Sequence, residues 1–342
     1  MTKKILVTGG TGYIGSHTVV ELIESGYETL IVDDLSNSSI DVLDSIQKIT
    51  GKKPAFEKFD LTGTQNVRSY FENNPGIEAI IHFAAKKAVG ESVEKPLLYY
   101  RNNLVSLMNI LDAMKEFQIP NLVFSSSSTV YGEPDELPVT ESSPVKEAAS
   151  PYGNTKRISE EIIRDTLRNE TAMKAICLRY FNPIGAHPSA LIGELPLGVP
   201  ANLVPYITQT AAGVREKLTI NGNDYSTPDG TCIRDYINVV DLAKAHVVAI
   251  DRMSGNKGKN RYEVFNIGTG RGLSVMEIVN TFEKVNNLKL NYVIGPRRPG
   301  DVEAVYADPS YANQGLGWKA EKTTEETLRS AWLWEKNIRG IK

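Results

Sequence analysis

Short apolar segments alternate with longer amphipathic segments over the first half of the chain. Each apolar segment is rich in Val, Ile, Leu or Phe, has the length of a strand and is bounded by turn residues. These segments are KKILVTGG (3–10), YETLIVDD (27–34), KPAFEKFD (53–60), IEAIIHFAA (77–85), NLVFSSSS (121–128) and MKAICLRYF (173–181). Most of the intervening segments are long enough for a crossover helix. The alternation predicts an α/β protein whose buried strands form a doubly wound parallel sheet.

The pattern changes after about residue 180, where Pro and Gly become frequent. Examples are GELPLGVPANLVP, NGNDYSTPDGT and GPRRPGD, and long loops separate helical segments such as NVVDLAKAHVVAIDRM. We expect two domains, with residues 1–180 forming the doubly wound sheet and residues 181–342 forming a smaller mixed α/β domain. Some of the chain is expected to cross back to the first domain, so that the two domains form the walls of a cleft.

A glycine-rich turn follows the first predicted strand. Gly9, Gly12 and Gly15 of VTGGTGYIG lie between this strand and a helical segment, where glycines permit a tight turn and close backbone approach to a pyrophosphate. The next strand ends at Asp33, where a carboxylate can bind a ribose 2′-hydroxyl and repel a 2′-phosphate. The alternative is a structural turn followed by an exposed Asp. The combination favours a Rossmann-like NAD site and NAD over NADP.

A second motif, SPYGNTK, opens an amphipathic helical segment. Ser150 is a good N-cap and Pro151 a good first-turn residue, so Tyr152 and Lys156 lie at positions i and i+4 on one helix face. Such a pair occurs by chance on many helical surfaces. Next to a dinucleotide site, however, it indicates a phenol that acts as a base beside a cation.

The chemistry explains why a cation is needed. A phenol has a pKa of about 10, and lowering it by about three units requires roughly 4 kcal/mol. One cation about 4 Å away supplies an interaction of that order at an effective dielectric of about 20. Lys156 and an oxidised nicotinamide are two such cations. Tyr152 is therefore predicted to remove a hydroxyl proton, with a serine from the end of LVFSSSSTVYG close to the same oxygen.

Composition excludes several classes of protein. The 342 residues carry a net charge of −3 without clusters of Lys and Arg, which argues against nucleic-acid and membrane partners. The start of the chain lacks the pattern of a signal peptide, and we expect a cytoplasmic protein. Cys177 and Cys232 lie in apolar segments and are expected to be buried thiols, without a disulfide or a metal.

Several motifs together resemble the extended short-chain dehydrogenase/reductase family and, within it, the nucleotide-sugar 4-epimerases. They are TGGTGYIG, SSSSTVYG, SPYGNTK, LRYFNPIGAHP, GNDYSTPDGTCIRDYINVVDLA and RRPGD, in the family's order and over nearly the whole chain. The resemblance implies a catalytic trio of Ser127, Tyr152 and Lys156. It implies NAD contacts from Gly9, Gly12, Tyr13, Ile14, Gly15, Asp33, Asp60, Lys87, Asn102, Tyr152 and Lys156. It implies UDP-sugar contacts from Ser127, Asn182, Asn202, Arg234, Arg298, Asp301 and Val305.

The same fold also supports dehydratases and decarboxylases, so the residues beside the catalytic serine are informative. Those relatives carry a carboxyl group just before VYG, whereas this chain has Ser128 and Thr129. The resemblance thus implies interconversion of UDP-galactose and UDP-glucose, through oxidation at C4 to a 4-keto sugar with bound NAD, rotation of the sugar and hydride return. Two alternatives stay open: a 4-epimerase for another UDP-sugar (hexosamine, uronic acid or pentose), and a non-catalytic NAD-sensing module.

Some positions depart from the family's pattern. Asn221-Gly222 replaces a common Phe-Gly, and Asn238 replaces a common His. Val305 lies where family members carry Tyr or a smaller residue, which predicts some acceptance of N-acetylated UDP-hexosamines. Apolar residues in the segments 92–117 and 151–169 extend beyond one narrow stripe, and by resemblance these helices pair in a homodimer.

Overall fold

A computed structural model describes residues 2–298 and 301–342 of the chain. The strands are β1 (Lys4–Thr8), β2 (Glu28–Asp33), β3 (Ala55–Lys58), β4 (Ile77–His82), β5 (Asn121–Ser127), β6 (Lys174–Tyr180), β7 (Asn182–Ile184), β8 (Leu218–Asn221), β9 (Ile233–Asn238), β10 (Tyr262–Ile267), β11 (Gly272–Ser274), β12 (Tyr292–Gly295) and β13 (Ala304–Val305). The helices are α1 (Tyr13–Glu24), α2 (Val42–Thr50), α3 (Thr64–Asn73), α4 (Val89–Glu94), α5 (Pro96–Glu116), α6 (Pro151–Asn169), α7 (Leu203–Ala211), α8 (Val239–Ser254), α9 (Val275–Asn286), α10 (Ser310–Gly315) and α11 (Thr324–Arg339). A short 3₁₀ turn, Ser128–Tyr131, follows β5.

The central sheet confirms the predicted Rossmann-like architecture. Within the described residues it has seven strands in the order β10-β6-β5-β4-β1-β2-β3, and every neighbouring pair is parallel. The chain starts in the middle of the sheet, builds one side through β2 and β3, and then returns to build the other. This reversal of strand order creates a crevice at the carboxyl edge of the sheet, next to β1.

Helices cover both faces of this sheet, as the continuous apolar strands predict. Alternate residues of β1 pack into different cores: Ile5 and Val7 lie in one buried cluster with Leu242 of α8, and Leu6 lies in the other with Ile110 of α5. This alternation follows from the two-residue period of a strand. Burial on both sides makes the positions of the strand ends well defined.

Two features of the sheet differ from the sequence predictions. The segment containing β3 was expected to be a buried strand, but most of β3 is exposed, because it forms an edge of the sheet and has a neighbour on one side only. Conversely, β10 comes from the second half of the chain and pairs with β6 at the opposite edge. The boundary at residue 180 stays a prediction, and β10 is a segment that crosses back.

The second half of the chain also forms smaller sheets around its own core. Strand β9 pairs with β7, β11 and β13, and a separate parallel pair joins β8 to β12. Two of the helices here begin with reciprocal capping boxes, Ser274 with Glu277 at α9 and Thr323 with Glu326 at α11. In the described parts of the chain, no helix combines the length and apolar character needed to cross a membrane.

Candidate active site

A cavity of about 630 Å³ lies at the carboxyl edge of the central sheet, within the size range of small-molecule sites. Both halves of the chain line it. It brings together all eleven residues predicted to contact NAD, including the Tyr-Lys pair. The predicted residues that line it are Gly9, Gly12, Tyr13, Ile14, Gly15, Asp33, Asp60, Lys87, Asn102, Tyr152, Lys156 and Asn202.

The glycine-rich turn at one end of the cavity tolerates no side chains at two positions. Gly9 has a φ of +70°, and a Cβ there would lie 2.8 Å from the backbone nitrogen of Ala84. A Cβ on Gly15 would lie 2.2 Å from the carbonyl oxygen of Gly9. Because the turn is this tight, the first turn of α1 approaches the cavity with its backbone N–H groups, which suits a pyrophosphate.

Asp33 ends β2 beside this turn and is largely buried. Its carboxylate accepts hydrogen bonds from the backbone N–H of Thr11 at 3.2 Å and of Leu35 at 2.9 Å. These bonds hold an anionic side chain at the cavity wall, where it matches a ribose diol and opposes a phosphate. The glycine turn and Asp33 therefore fit a dinucleotide of the NAD type.

Tyr152 and Lys156 lie on the first turns of α6, which begins as predicted. The Ser150 hydroxyl accepts a hydrogen bond from the N–H of Gly153 at 3.2 Å, and Pro151 occupies the first turn. Both side chains are buried, with 8% of Tyr152 and 4% of Lys156 exposed. The Lys156 Nζ lies 6.0 Å from the centre of the Tyr152 ring. The helix therefore presents a phenol and an amine together at the cavity.

Burial has the largest effect on the electrostatics of Tyr152 in the protein without its cofactor. Burial raises the pKa of the Tyr152 phenol, Tyr180 raises this pKa further, and a hydrogen bond with the Ser127 side chain lowers it. The predicted acidification of the phenol by Lys156 together with an oxidised nicotinamide concerns the complex with NAD and stays a prediction. The Lys156 Nζ donates a 2.6 Å hydrogen bond to the carbonyl oxygen of Ser125.

Lys156 is itself perturbed by its surroundings. Burial lowers its pKa from 10.5 to about 8, while the nearby Cys177 and Glu160 raise it. The ammonium also lies 4.9 Å from the centre of the Phe124 ring, a cation-π contact. The charge of this side chain therefore titrates close to neutral pH.

Ser127 is the last residue of β5, and it is buried. Its hydroxyl accepts a hydrogen bond from the N–H of Thr129 at 3.2 Å, which starts the 3₁₀ turn. Because the side chain also contacts Tyr152, the structure brings the predicted catalytic trio together. Ser127 itself is not among the residues that line the cavity.

The residues predicted to bind the UDP-sugar are more dispersed. Apart from Asn202, none of them lines the cavity in the part of the chain that the structure describes; these are Ser127, Asn182, Arg234, Arg298, Asp301 and Val305. Asp301 pairs with both arginines, at 2.6 Å from Arg298 Nη2 and 3.6 Å from Arg234 Nη2. Pro299 and Gly300 of the RRPGD motif lie outside the described residues.

Val305 and Asn182 lie in strands that flank β9. Val305 pairs with Arg234 in register, and Asn182 pairs with Tyr236. Only 7% of Val305 is exposed, and it packs in an apolar cluster with Phe181. The predicted space beside a sugar at Val305 is therefore a buried apolar contact in this structure.

Sequence reasoning missed Glu194, which connects the two halves of the cavity. One oxygen of its carboxylate accepts a hydrogen bond from Asn202 Nδ2 at 2.6 Å and lies 3.5 Å from Lys87 Nζ. The indole N–H of Trp334 in α11 donates to the Glu194 carbonyl at 3.0 Å. No local sequence signal marks Glu194, because its partners are distant along the chain.

Asn103, the residue after the predicted Asn102, is a second residue that sequence reasoning missed. Asn102 lines the cavity, as predicted, but the adjacent Asn103 makes the contacts that shape the cavity wall. Its amide exchanges hydrogen bonds with the backbone of Lys86, at 2.8 and 3.0 Å, and donates to Thr155 Oγ1 at 3.1 Å. Asn103 therefore ties the loop after β4 to helices α5 and α6.

The remaining candidates for special chemistry are structural. Cys177 and Cys232 are both free and buried. Within residues 2–298 and 301–342, no group of three or more His, Cys, Asp or Glu side chains could hold a metal ion. Asn238, noted as a departure from the family, caps α8 by accepting a hydrogen bond from the N–H of Val240 at 2.8 Å.

Comparison with known proteins identifies the class first. A family model described as GDP-mannose 4,6 dehydratase matches residues 6–331. Its description names a dehydration, however, whereas the residues before VYG in this chain, Ser128 and Thr129, carry no carboxyl group.

Full-length relatives are more specific. The chain is 50% identical to UDP-glucose 4-epimerase 2 of Arabidopsis thaliana, over 98% of this chain and 96% of that protein. It is 49% identical to UDP-glucose 4-epimerase of Bacillus subtilis, over 99% and 98%. A crystal structure of UDP-glucose 4-epimerase from Bifidobacterium longum in complex with NAD⁺ and UDP superimposes with a TM-score of 0.94 at 45% identity, covering 99% of this chain and 100% of that one. The chain belongs to the UDP-glucose 4-epimerase family.

Proposed function

We propose that this protein interconverts UDP-galactose and UDP-glucose as an NAD-dependent 4-epimerase. The observation that carries the proposal is that Tyr152 and Lys156 face the same cavity as the glycine turn and Asp33. A proton-transferring side chain thereby lies in the site that suits the cofactor. Family membership over the full chain supports the same reaction.

The chain offers a complete set of residues to hold NAD. The N–H groups at the start of α1, reached through Gly9, Gly12 and Gly15, suit the pyrophosphate. Asp33 suits a ribose diol, and Tyr13, Ile14, Asp60, Lys87 and Asn102 complete the lining. Bound NAD supplies the reversible oxidation of the sugar at C4 to a ketone.

Tyr152 then serves as the group that moves the proton of the C4 hydroxyl. Its phenol must become acidic as the reaction proceeds, against the burial that raises its pKa. Ser127 is placed beside it to share the proton through a hydrogen bond. Lys156 lies one helical turn further on, where its positive charge would support the proton transfer and its amine would hold the nicotinamide ribose.

A 4-epimerase must present both faces of the 4-keto sugar, so affinity has to be concentrated on the UDP group. We assign that role to Asn182, Asn202, Arg234, Arg298 and Asp301. Two arginines suit a diphosphate, because a guanidinium binds phosphate oxygens in a planar, bidentate way. Their shared partner, Asp301, keeps the pair together and oriented.

The rival reactions have less support. Ser128 and Thr129 provide no carboxyl group for elimination or decarboxylation. A non-catalytic NAD-sensing module would not need the Ser127, Tyr152 and Lys156 trio that this chain retains. An epimerase for another UDP-sugar differs from the proposal only in substrate, and profiling of UDP-hexoses, UDP-hexosamines, UDP-uronic acids and UDP-pentoses separates the two.

We extend the proposal to some activity on N-acetylated UDP-hexosamines. Its basis is that Val305 is smaller than the Tyr that family members can carry at this position, so less side chain competes with an N-acetyl group on the sugar. UDP-N-acetylglucosamine is the deciding substrate. Complete inactivity on it, with full activity on UDP-glucose, contradicts this extension.

The homodimer is also part of the proposal. Apolar side chains recur at helical spacing on α5, and Leu97 and Met108 are 63% and 41% exposed there. Helix α6 packs beside α5, so the two can form one interface with a second copy. Sedimentation of the wild-type chain and of Leu97→Glu tests this, and a monomeric wild type contradicts it.

A cytoplasmic location completes the proposal. Both cysteines are free and buried, which is usual in a reducing compartment. Cell fractionation followed by detection of the protein tests the location. Recovery in a secreted or membrane fraction contradicts it.

The decisive experiment incubates the purified protein with UDP-galactose, without added NAD, and follows the formation of UDP-glucose. We expect turnover, because the residues that line the cavity would hold NAD tightly enough to keep it on the protein during purification. If turnover appears only after NAD is added, the reaction is supported but cofactor retention is not. Absence of product with NAD present overturns the proposed function.

A further inference from the structure

A row of three polar residues crosses the central sheet one position before its catalytic end. Ser126 on β5, Arg179 on β6 and Asn266 on β10 are direct register partners, so they lie side by side across three strands. Each is buried, with at most 6% of its surface exposed. The next row begins with Ser127, which pairs with Tyr180.

Glu160 of α6 contacts two members of this row, Arg179 and Ser126. Its carboxylate accepts hydrogen bonds from Arg179 Nε at 2.9 Å and Nη2 at 2.5 Å, in a bidentate ion pair. It also accepts a hydrogen bond from the Ser126 hydroxyl at 2.5 Å. Glu160 thus links helix α6, which carries Tyr152 and Lys156, to the strand residue that precedes Ser127.

The same arginine reaches the other flank of Ser127. Arg179 Nη1 donates a 3.0 Å hydrogen bond to the hydroxyl of Tyr131, the last residue of the 3₁₀ turn after β5. The Tyr131 hydroxyl in turn donates to Asn266 Oδ1 at 2.6 Å. Ser127 is therefore bracketed, with Ser126 held on one side and Tyr131 on the other.

A buried ion pair of this kind is weak evidence for a contribution to stability. Removing two charges from water has a high free-energy cost, and apolar side chains of similar volume often stabilise a protein equally well. The ion pair instead fixes the positions of its two residues, because a bidentate guanidinium contact sets both the distance and the orientation between the guanidinium and the carboxylate. Here it fixes α6 relative to both flanks of Ser127.

On the basis of the proposed epimerisation, we infer that Glu160 and Arg179 are positioning residues that set the distance between the Ser127 hydroxyl and the Tyr152–Lys156 pair. Ser126 and Tyr131 transmit this constraint to the serine turn. None of the four needs to touch the substrate. Proton transfer depends on this distance. When the constraint is lost, we expect the rate of the chemical step to fall and the affinity for UDP to stay unchanged.

The ion pair has a second effect on Lys156. Glu160 lies one helical turn after it and helps to raise its pKa, as does Cys177 from β6. On the other side, His82 of β4 faces Lys156 and has its own pKa lowered to about 3, by burial and then by Lys156, so it stays neutral near pH 8. Tyr152 on the same helix is also neutral there, because burial raises its pKa. Removing the Glu160 charge therefore shifts the Lys156 titration to lower pH.

The test compares two variants that each remove one hydroxyl, Ser126→Ala and Tyr131→Phe. A matched control is Tyr70→Phe, which removes the hydroxyl of a buried tyrosine in α3 that is not part of the polar row across the sheet. We expect each of the two variants to lower kcat for UDP-galactose about tenfold with KM unchanged, and the control to keep wild-type values. Thermal unfolding verifies that all three chains are folded.

A third variant, Glu160→Gln, tests the effect on Lys156. Its pH profile of kcat is expected to lose activity at a lower pH than wild type does. A merely structural role would lower activity at every pH without moving the profile. If Glu160→Gln does not fold, Ser126→Ala and Tyr131→Phe still decide the matter.

The outcomes separate the inference from the function on which it rests. Absence of turnover in the wild type overturns the proposed epimerisation. An active wild type, together with wild-type kcat in folded Ser126→Ala and Tyr131→Phe, overturns the positioning role alone. A rise in KM without a fall in kcat also overturns it, because it would place these residues in substrate binding.

Discussion

The cofactor side of the cavity and the region proposed for UDP, most of whose residues lie outside the lining of the cavity, are built in different ways. We call them the first wall and the second wall. The wall on the cofactor side consists of the ends of adjacent parallel strands, so Gly9, Asp33 and Asp60 lie in one crevice. The second wall draws on short strands of mixed direction around β9 and on Arg298. Its charged residues, Arg234, Arg298 and Asp301, pair with one another.

This difference has a physical origin. In a parallel sheet, each strand that follows a helix ends at the same edge, so local motifs at strand ends converge without further instruction. In the second wall, convergence depends on pairings between distant segments, such as Val305 with Arg234. The first wall is therefore expected to govern cofactor retention and the chemical step, and the second wall to govern the affinity for UDP.

We expect the largest effect from a variant that lowers the rate of the chemical step but keeps NAD bound. Tyr152→Phe removes the proposed proton-transferring phenol and should lower kcat by a factor of at least about 100, and up to about 10,000. NAD should stay bound, because the glycine turn and Asp33 are unchanged. Turnover assays and the cofactor content of the purified variant check this, and a near-native kcat would show that the base is another group.

A substitution in the glycine turn should disrupt the first wall and prevent the binding of NAD. The Cβ of Gly15→Ala would lie 2.2 Å from the Gly9 carbonyl oxygen, so the turn must open. We expect loss of bound NAD and a decrease of about 1–3 kcal/mol in the free energy of unfolding.

The matched control for this variant is Gly90→Ala. Gly90 is also in a helix, but a Cβ there meets nothing within 4 Å. It should keep its cofactor and its stability. Equal NAD content in the two purified variants would contradict the role assigned to the turn.

Two adjacent arginines, Arg298 and Arg297, provide a test variant and its control for the second wall. Arg298→Gln should raise the KM for UDP-galactose about tenfold or more with little change in kcat, since a hydrogen bond to a charged group contributes about 1.5–3 kcal/mol. Arg297→Gln is the control, because Arg297 pairs instead with Asp224, at 2.8 Å, and stacks on Tyr225. If both variants have the same KM, Arg298 does not bind the diphosphate.

The smallest effect is a pH dependence confined to the first wall. The pKa of Lys156 is lowered to about 8, so its positive charge is present below that pH and is lost above it. We expect kcat to fall as the pH rises through about 8. Affinity for UDP should stay constant over the same range, because arginines remain charged. A kcat that stays constant to pH 9.5 would show that the Lys156 charge is not needed.

Local motifs were sufficient to predict the structural features that depend on residues close together in the chain. The turn at Gly9, Gly12 and Gly15 and the cap at Ser150 were predicted correctly, because a tight turn and a helix start are decided by neighbouring residues. The parallel sheet followed from apolar strands alternating with helices. The exposed position of β3 did not, because edge strands are distinguished by their neighbours in space.

Tertiary structure decided how the side chains of the site act on one another. The motif SPYGNTK placed Tyr152 near Lys156, but only the fold directed the lysine to the Ser125 carbonyl and buried the phenol so that its pKa rises. The bracket around Ser127 and the contacts of Glu194 likewise join segments far apart in the chain. Periodicity and motif spacing describe local geometry, whereas desolvation and ion pairing depend on what the folded chain brings alongside each group.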